Sequence, residues 1–325
     1  MVAIGRNEGE RLVRCLRSLA AVRGAEVSTV VYVDSGSTDG SVAKAREAGA
    51  IVVPLDMAIP FTAARARNEG FAALLCHDPE LGLVQFVDGD CELDPDWLAT
   101  AQSFLAARSD VAVACGRRRE RFPDASVYNR LCDLEWDTPV GDAKTCGGDS
   151  LMRVPAFQAV GGFRSTMIAG EEPELCARLR AAGWRIWRLD AEMTVHDAAM
   201  HRFGQWWMRG VRSGYGYAQV WSSTRVSNGE ALYGRELARA VGWAAVLPAA
   251  IVAGAIAHPG LGLAGLALYG AQVARIATRK GAGAPLSWRY GAFTMLSKFP
   301  EAQGAARFLL QRRRGPRSTI EYKAA

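Results

Sequence analysis

The sequence predicts an α/β protein: a Rossmann-like, mostly parallel sheet with helices on both faces, followed by a C-terminal helical region that associates with a membrane. Three observations carry this. Short apolar segments alternate with helix-periodic ones through the first half of the chain, and polar clusters directly follow several of the apolar segments. Near the C-terminus lie two apolar stretches without a charge. Strand–helix alternation implies parallel strands joined by crossover helices. Ligands of such sheets bind at the carboxyl ends of the strands.

Each element has its own signal. Val2–Ile4 reads as a buried strand, and Leu12, Cys15, Leu16 and Leu19 then share one helical face. Asn7 and Glu10 have the spacing of a capping pair for that helix. Val30–Val33 is the second strand and ends at Asp34; Ser37–Asp39 supply cap residues for a helix that Gly49 stops. Ile51–Val53 is a third strand, Ala63–Leu75 a helix, and Leu83–Val87 a fourth strand running into Asp88-Gly89-Asp90. Asp94-Pro95 reads as N-cap and first residue of the next helix. Later, a helix runs from Pro173 to Ala182 and Gly183 closes it; Trp184–Leu189 and Met193–Val195 read as two short strands.

The bulk numbers bound the function. Of 325 residues, 50% are apolar and 22% charged, enough for a sizeable core and against global disorder. A net charge of +6 suits an anionic ligand or a membrane surface and makes no case for nucleic acid by itself. Seven scattered cysteines with no C-x-x-C pair argue against a disulfide framework or a zinc ribbon and fit a reducing compartment. Arg6, Glu8, Glu10 and Arg11 break up any apolar run at the N-terminus, so no signal peptide is expected there.

From about Arg239 the composition shifts. Val241–Ala257 and Leu261–Ala274 are charge-free and joined by His258-Pro259-Gly260, with Arg235, Arg239, Arg275, Arg279 and Lys280 on the flanks. Each is slightly short of the roughly 20 residues that cross a bilayer. The Pro-Gly joint suits a hairpin with basic residues at cytoplasmic ends; the competing reading is a soluble hairpin packed on the rest of the protein. Arg312, Arg313, Arg314 and Arg317 form a basic tail that suits anionic lipid or solvent. The expected domains are 1–215, catalytic, and 216–325, helical.

Asp88-Gly89-Asp90 is the central chemical feature. Two carboxylates at i and i+2 after an apolar strand can aim at one cation, Mg²⁺ or Mn²⁺, that also takes phosphate oxygens. The glycine between them allows close approach of a diphosphate. The run from Val33 to Gly40 is more specific, because capping accounts for Ser37 and Asp39 but not for Asp34 at the strand end. Glu171 and Glu172 read either as an acidic pair favoured by a helix N-terminus or as a catalytic pair.

Taken together, Gly5-Arg6-Asn7-Glu8, the Val33–Gly40 run, Ala64-Arg65-Ala66-Arg67-Asn68 and Phe86-Val87-Asp88-Gly89-Asp90 resemble, in order, the motifs of family 2 glycosyltransferases of the GT-A fold. Gly147-Gly148-Asp149-Ser150-Leu151-Met152-Arg153, Val160-Gly161-Gly162-Phe163, Gly170–Leu175 and Leu179–Trp187 continue the pattern, which covers residues 1–215 or so. The resemblance implies an enzyme that moves a sugar from a nucleotide-sugar donor to an acceptor hydroxyl with inversion. It implies that Asp34 recognises the base, that Gly5, Asn7, Glu8 and Gly89 line the nucleotide pocket, and that Arg65 lies near base or phosphate. Asp90 is the implied metal ligand, Asp88 touches ribose or metal-bound water, and His196 completes the metal shell. Glu172 is the implied base with Glu171 beside it; the family's usual pair is Glu-Asp, so the base here is one methylene longer. Asp149 is expected on the acceptor side and as the reserve base. Trp206, Trp207 and Arg209 loosely resemble an acceptor motif, although packing against the apolar hairpin accounts for them equally. Arg117, Arg118 and Arg119 suit a phosphate-bearing acceptor or solvent. The partners implied are a nucleotide sugar, a glycan or lipid-linked acceptor, and a membrane on its cytoplasmic face. The competing functions are a catalytically silent nucleotide-sugar-binding subunit and a sugar nucleotidyltransferase, to whose glycine-rich loop Gly5-Arg6-Asn7-Glu8 is a poor match.

Overall fold

The computed structural model describes residues 1–227 and 231–312; Arg313, Arg314 and Arg317 of the basic tail lie outside them. The first three strands, β1 (Val2–Gly5), β2 (Val31–Asp34) and β3 (Ile51–Pro54), alternate with α1 (Glu10–Ala20) and α2 (Ser41–Glu47). Helix α3 (Ala63–His77) then leads to β4 (Leu83–Asp88), which is followed at once by β5 (Cys91–Leu93). These strands are apolar because both faces of the sheet are covered: Val2, Ala3, Val31, Tyr32 and Val33 are fully buried. Chain order moves outward from β1 to β3, and α3 returns it to the far side of β1. Right-handed crossovers therefore place α3 on the opposite face from α1 and α2.

The remaining elements of this part are α4 (Trp97–Ala107), β6 (Val111–Glu120), α5 (Val127–Glu135), β7 (Gly141–Ala143) and β8 (Ser150–Arg153). After them come α6 (Val154–Ala159), α7 (Glu171–Ala181) and β9 (Arg185–His196). The strands form one sheet in the order β3-β2-β1-β4-β8-β6-β9-β5, with β7 also on β9. Only part of it is parallel. β1, β2, β3 and β4 run together, whereas β8 pairs antiparallel with β4 and β6, and β5 and β7 pair antiparallel with β9. The expectation of a mostly parallel sheet thus holds for the first half, and the whole is mixed, because several later strands are not joined by crossover helices. Register aligns the strand ends: Gly5 faces Asp34 and Ile4 faces Asp88.

Several local expectations change. The residue before α1 is Gly9, with no side-chain cap; Asn7 instead has φ +54° and binds the neighbouring loop. α4 starts at Trp97, not at Pro95, because Asp94 accepts from the Asp96 N–H and closes a turn ahead of it. The two short strands expected over 184–195 are one, β9, paired along β6 with register shifts, the pairing stepping from Arg188 opposite Cys115 to Glu192 opposite Arg117.

The chain packs as two compact units. The first is essentially Met1–His201, and the second takes Arg202–Arg225 and residues 231–312. The division falls where the helix α8 (Phe203–Ser227) begins, earlier than residue 215. In the second unit follow α9 (Gly234–Val241), a π-helical turn over Gly242–Val246, α10 (Leu247–Ala257) and α11 (Pro259–Arg279). Two helices, α12 (Pro285–Leu296) and α13 (Lys298–Gln311), complete it. Gly234–Ala257 and Pro259–Arg279, 24 and 21 residues long, are each long and apolar enough to cross a membrane. They are longer than the apolar stretches themselves because the helices run on into the charged flanks. Between them His258 caps α11, its Nδ1 accepting from the Gly260 N–H at 3.1 Å. Ile256 is 83% exposed and Leu263 69%, an unusual amount of apolar surface for helices facing water.

Candidate active site

The polar loops at the carboxyl ends of β1, β2 and β4 are bound to one another. Asn7 Oδ1 accepts from the Thr38 N–H at 2.7 Å, and the Asn7 N–H donates to Ser37 Oγ at 2.9 Å. The left-handed backbone this needs is one that asparagine tolerates. Asp34 is buried; its Oδ2 accepts from the Gly36 and Ser37 N–H groups at 3.0 and 2.9 Å, and its Oδ1 from the Tyr32 hydroxyl at 3.2 Å. Its carboxylate therefore shapes the loop first, with about one lone pair, on Oδ1, left for a ligand. Glu8 pairs with Arg11 at 2.9 Å and lies across Gly5 and Gly89, where a Cβ would come within 3.1 and 3.6 Å of Glu8 Cγ. Gly89 has a further reason to be glycine, since a Cβ there would sit 2.9 Å from the Ile4 carbonyl oxygen.

Arg65 departs from expectation. Its Nη2 donates to the Asp56 and Ile59 carbonyls at 2.8 and 2.9 Å, so the guanidinium holds the loop between β3 and α3. The arginine that reaches the carboxylates is Arg67, two residues on and 3% exposed. Its Nη2 donates to Asp88 Oδ1 at 2.7 Å and its Nη1 to Glu171 Oε1 at 2.6 Å. The motif around Asn68 contains Arg67 without pointing to a role for it. The signal was present all the same: Arg67 shares a helical face of α3 with Ala64, Phe71 and Leu74, all buried, and a charge on an apolar face needs a partner.

On the other side of Asp88 stands Arg118, 2.7 Å from Asp149 Oδ2 and 3.7 Å from Asp88 Oδ2, with its guanidinium against the Trp136 ring. Arg117 and Arg119 turn to Asp133 and Glu192, as alternation along β6 requires. Asp149 has no exposed surface. Its Oδ1 accepts from the Asp88 N–H at 2.9 Å and its Oδ2 from the Thr194 hydroxyl at 2.9 Å. Asp149, expected on the acceptor side, is thus buried and bonded on both oxygens, and it supports Asp88 from beneath. Glu171, Arg67, Asp88, Arg118 and Asp149 form a row of alternating charge. Burial opposes ionisation of Asp88, but Arg67 and Arg118 carry its carboxyl down to about 2.

Asp90 and His196 meet at the ends of β4 and β9, with Oδ2 and Nε2 3.1 Å apart and both residues buried. Burial, reinforced by Arg118, lowers His196 to about 4, so its imidazole is neutral at physiological pH. Asp90, Cys91 and His196 can each offer one ligand atom within 4.8 Å of the others, and so can Asp88, Cys91 and Asp149. In the second group Arg118 already pairs with both carboxylates. The donor set of a carboxylate and a neutral imidazole at Asp90 and His196 fits a divalent cation. Asp88, expected as a further ligand, is instead held by two guanidiniums.

The acidic pair is split. Glu171 is buried and bonded to Arg67, while Glu172, half-buried, has no ion-pair partner among the described residues. Burial, and then the neighbouring Glu171 charge, push the Glu172 carboxyl up to about 7. Trp206, Trp207 and Arg209 lie on α8 in the second unit. Trp206 is buried against Phe293 of α12, and Trp207 Nε1 donates to Gln303 of α13 at 2.8 Å. Both indoles are thus engaged by the last helices, and neither packs on the apolar hairpin through these contacts.

Residues 4–152 match the family described as Glycosyl transferase family 2. The succinoglycan biosynthesis protein ExoA of Rhizobium meliloti (strain 1021) is 32% identical over 176 residues, 51% of this chain and 53% of that protein. The chain thus spans about half the length of the curated relative it matches. Among solved structures, the mannosyltransferase PcManGT from Pyrobaculum calidifontis, in complex with GDP-Man and Mn²⁺, is similar with a TM-score of 0.62 at 18% identity, over 94% of this chain and 86% of that one. S. aureus TarS 1-349 is similar with a TM-score of 0.51 at 13% identity, over 94% and 90% of the two chains. At such identities these two likenesses bear on the fold. Residues 4–152 thus carry the match to glycosyltransferase family 2, on an α/β sheet of the GT-A kind.

Proposed function

We propose that this chain transfers a sugar from a nucleotide-sugar donor to an acceptor hydroxyl with inversion, at the cytoplasmic face of a membrane, with residues 1–215 as the catalytic part. One observation carries the reading: the acidic pair is divided into a paired Glu171 and an unpaired Glu172 with a carboxyl near 7. A base poised close to the working pH is what proton removal from a hydroxyl requires. Glu172 accepts the acceptor's proton as the acceptor oxygen forms its bond to the anomeric carbon. The bond from that carbon to the diphosphate breaks on the opposite face, which inverts the configuration. Asp34, with the Asn7–Thr38 clip, shapes the pocket for the nucleoside, and Gly5 and Gly89 leave room for the diphosphate. Asp90 and His196 would hold a divalent cation, Mg²⁺ or Mn²⁺, which offsets charge on a diphosphate leaving group.

The acceptor we favour is a lipid-linked or polysaccharide-precursor glycan. The relationship to a succinoglycan biosynthesis protein and the two long apolar helices support it. A silent binding subunit would have no use for an unpaired carboxyl beside a paired one. The test is nucleoside diphosphate release by the full chain in detergent micelles, with GDP-mannose, UDP-GlcNAc and UDP-glucose as donors, Mn²⁺ present or absent, and a polyprenyl-diphosphate-linked sugar as acceptor. Metal-dependent, acceptor-stimulated release from one donor is expected. Donor binding without release from any of them would favour the silent subunit.

A further inference from the structure

We infer that Arg67 is a positioning residue for this transfer: by clamping Glu171 to Asp88 it ties the acceptor base to the donor site and leaves Glu172 alone to take the proton. The inference rests on the reading of Glu172 as the base. Arg67 sits on α3, Asp88 at the end of β4 and Glu171 at the start of α7, so one side chain ties α7 to two consecutive elements far ahead of it in the chain. Its two terminal nitrogens serve different carboxylates at 2.7 and 2.6 Å. A planar guanidinium can do this, whereas the ammonium of lysine is a point charge that reaches one carboxylate at a time.

The surroundings fix the side chain from the remaining directions. The guanidinium carbon lies 5.6 Å from the centre of the Phe163 ring. A Cβ on Gly148 would come within 2.9 Å of both Arg67 Nη2 and Asp88 Oδ2, so the Gly147-Gly148 loop closes directly over the bridge. Arg67 Nε is buried without a hydrogen-bond partner. Nothing on its own helix holds it, and the two carboxylates and the ring determine where it points. Asn68, the next residue, binds the Phe163 backbone in both directions, its Nδ2 donating to the carbonyl at 2.7 Å and its Oδ1 accepting from the N–H at 3.0 Å. The segment leading to α7 is thus anchored to the same turn of α3 that carries Arg67.

An arginine that only neutralises buried carboxylates would matter to the fold. One that positions the base would matter to turnover. The experiment compares Arg67→Lys, Arg67→Gln, Arg67→Gln/Glu171→Gln and Glu172→Gln in the full chain. The measurements are Tm, calorimetric binding of GDP and UDP with Mn²⁺, and kcat and KM on the donor turned over. Arg67→Lys is expected to keep its Tm and to bind nucleotide with Mn²⁺ within about threefold of the parent, because Asp90 and His196 are untouched. Its kcat should fall about 10²-fold with KM little changed, as displacement of a reacting group by about 1 Å does. Adding Glu171→Gln to Arg67→Gln should recover at least about tenfold in kcat, because the carboxylate left unclamped beside Glu172 is then gone. Arg67→Lys with parental kcat, or losses that follow Tm with no recovery in the double variant, would overturn the inference. An active Glu172→Gln would instead overturn the reading of the base, which separates the two failures.

Discussion

Replacing Glu172 by glutamine gives the sharpest test of the active-site reading, because it has a consequence that needs no substrate. The Glu172 carboxyl stands at about 7 in the folded protein against an ordinary value of 4.5, through burial and then through Glu171. Such a difference corresponds to about 3 kcal/mol between the protonated and ionised forms. The sign follows from linkage. Below the unfolded value both states hold the proton and nothing is lost. As pH rises towards the folded value the unfolded chain releases its proton while the folded one keeps it, so stability falls, and above the folded value the loss is complete. Glutamine carries no proton to lose. Relative to the parent, Glu172→Gln should therefore gain stability from about pH 5 to about pH 8, approaching about 3 kcal/mol. For a domain of this size that is a Tm increase on the order of 6–10 °C. Thermal unfolding of both full-length proteins across this range measures it. At the same time kcat should fall by about 10²–10⁴-fold, the usual contribution of a positioned base, with nucleotide binding unchanged. A stability difference that does not vary with pH would refute the account of how Glu172 is tuned, and near-parental kcat would refute its role.

Three further outcomes are expected. Asp90→Ala should abolish Mn²⁺-dependent binding of GDP or UDP by calorimetry while leaving Tm close to the parent; retained metal-dependent binding would mean that the cation is held elsewhere. Gly89→Ala forces a methyl group to within 2.9 Å of the Ile4 carbonyl oxygen, and should cost about 1–3 kcal/mol of stability together with most activity, so an unchanged Tm would disprove the close approach. If Gly234–Ala257 and Pro259–Arg279 enter a bilayer, the full chain will sediment with membranes and resist extraction by high salt but not by detergent; a monodisperse, detergent-free solution of it would count against membrane insertion.

Much of this protein is legible along the chain because it depends on neighbours in sequence. Strands β1, β2 and β4 announce themselves as apolar segments, since burial on both faces demands apolar side chains throughout. The residues at their carboxyl ends, Gly5, Asp34 and Asp88, are brought together by parallel register alone. The joint at His258-Pro259-Gly260 is equally local. What only the tertiary structure decided are the partnerships of charge. Arg65 and Arg67 look equivalent in sequence, yet one secures a loop and the other bridges Asp88 and Glu171, because residues two apart lie on different sides of a helix. Asp149 looked like an acceptor-side carboxylate and is sealed beneath Asp88 by Thr194 and Arg118. Glu171 and Glu172 differ by nothing in the sequence except order. Their roles part because a guanidinium from another helix can reach the first of them, and a carboxylate's acidity is set by the charges and solvent around it in space.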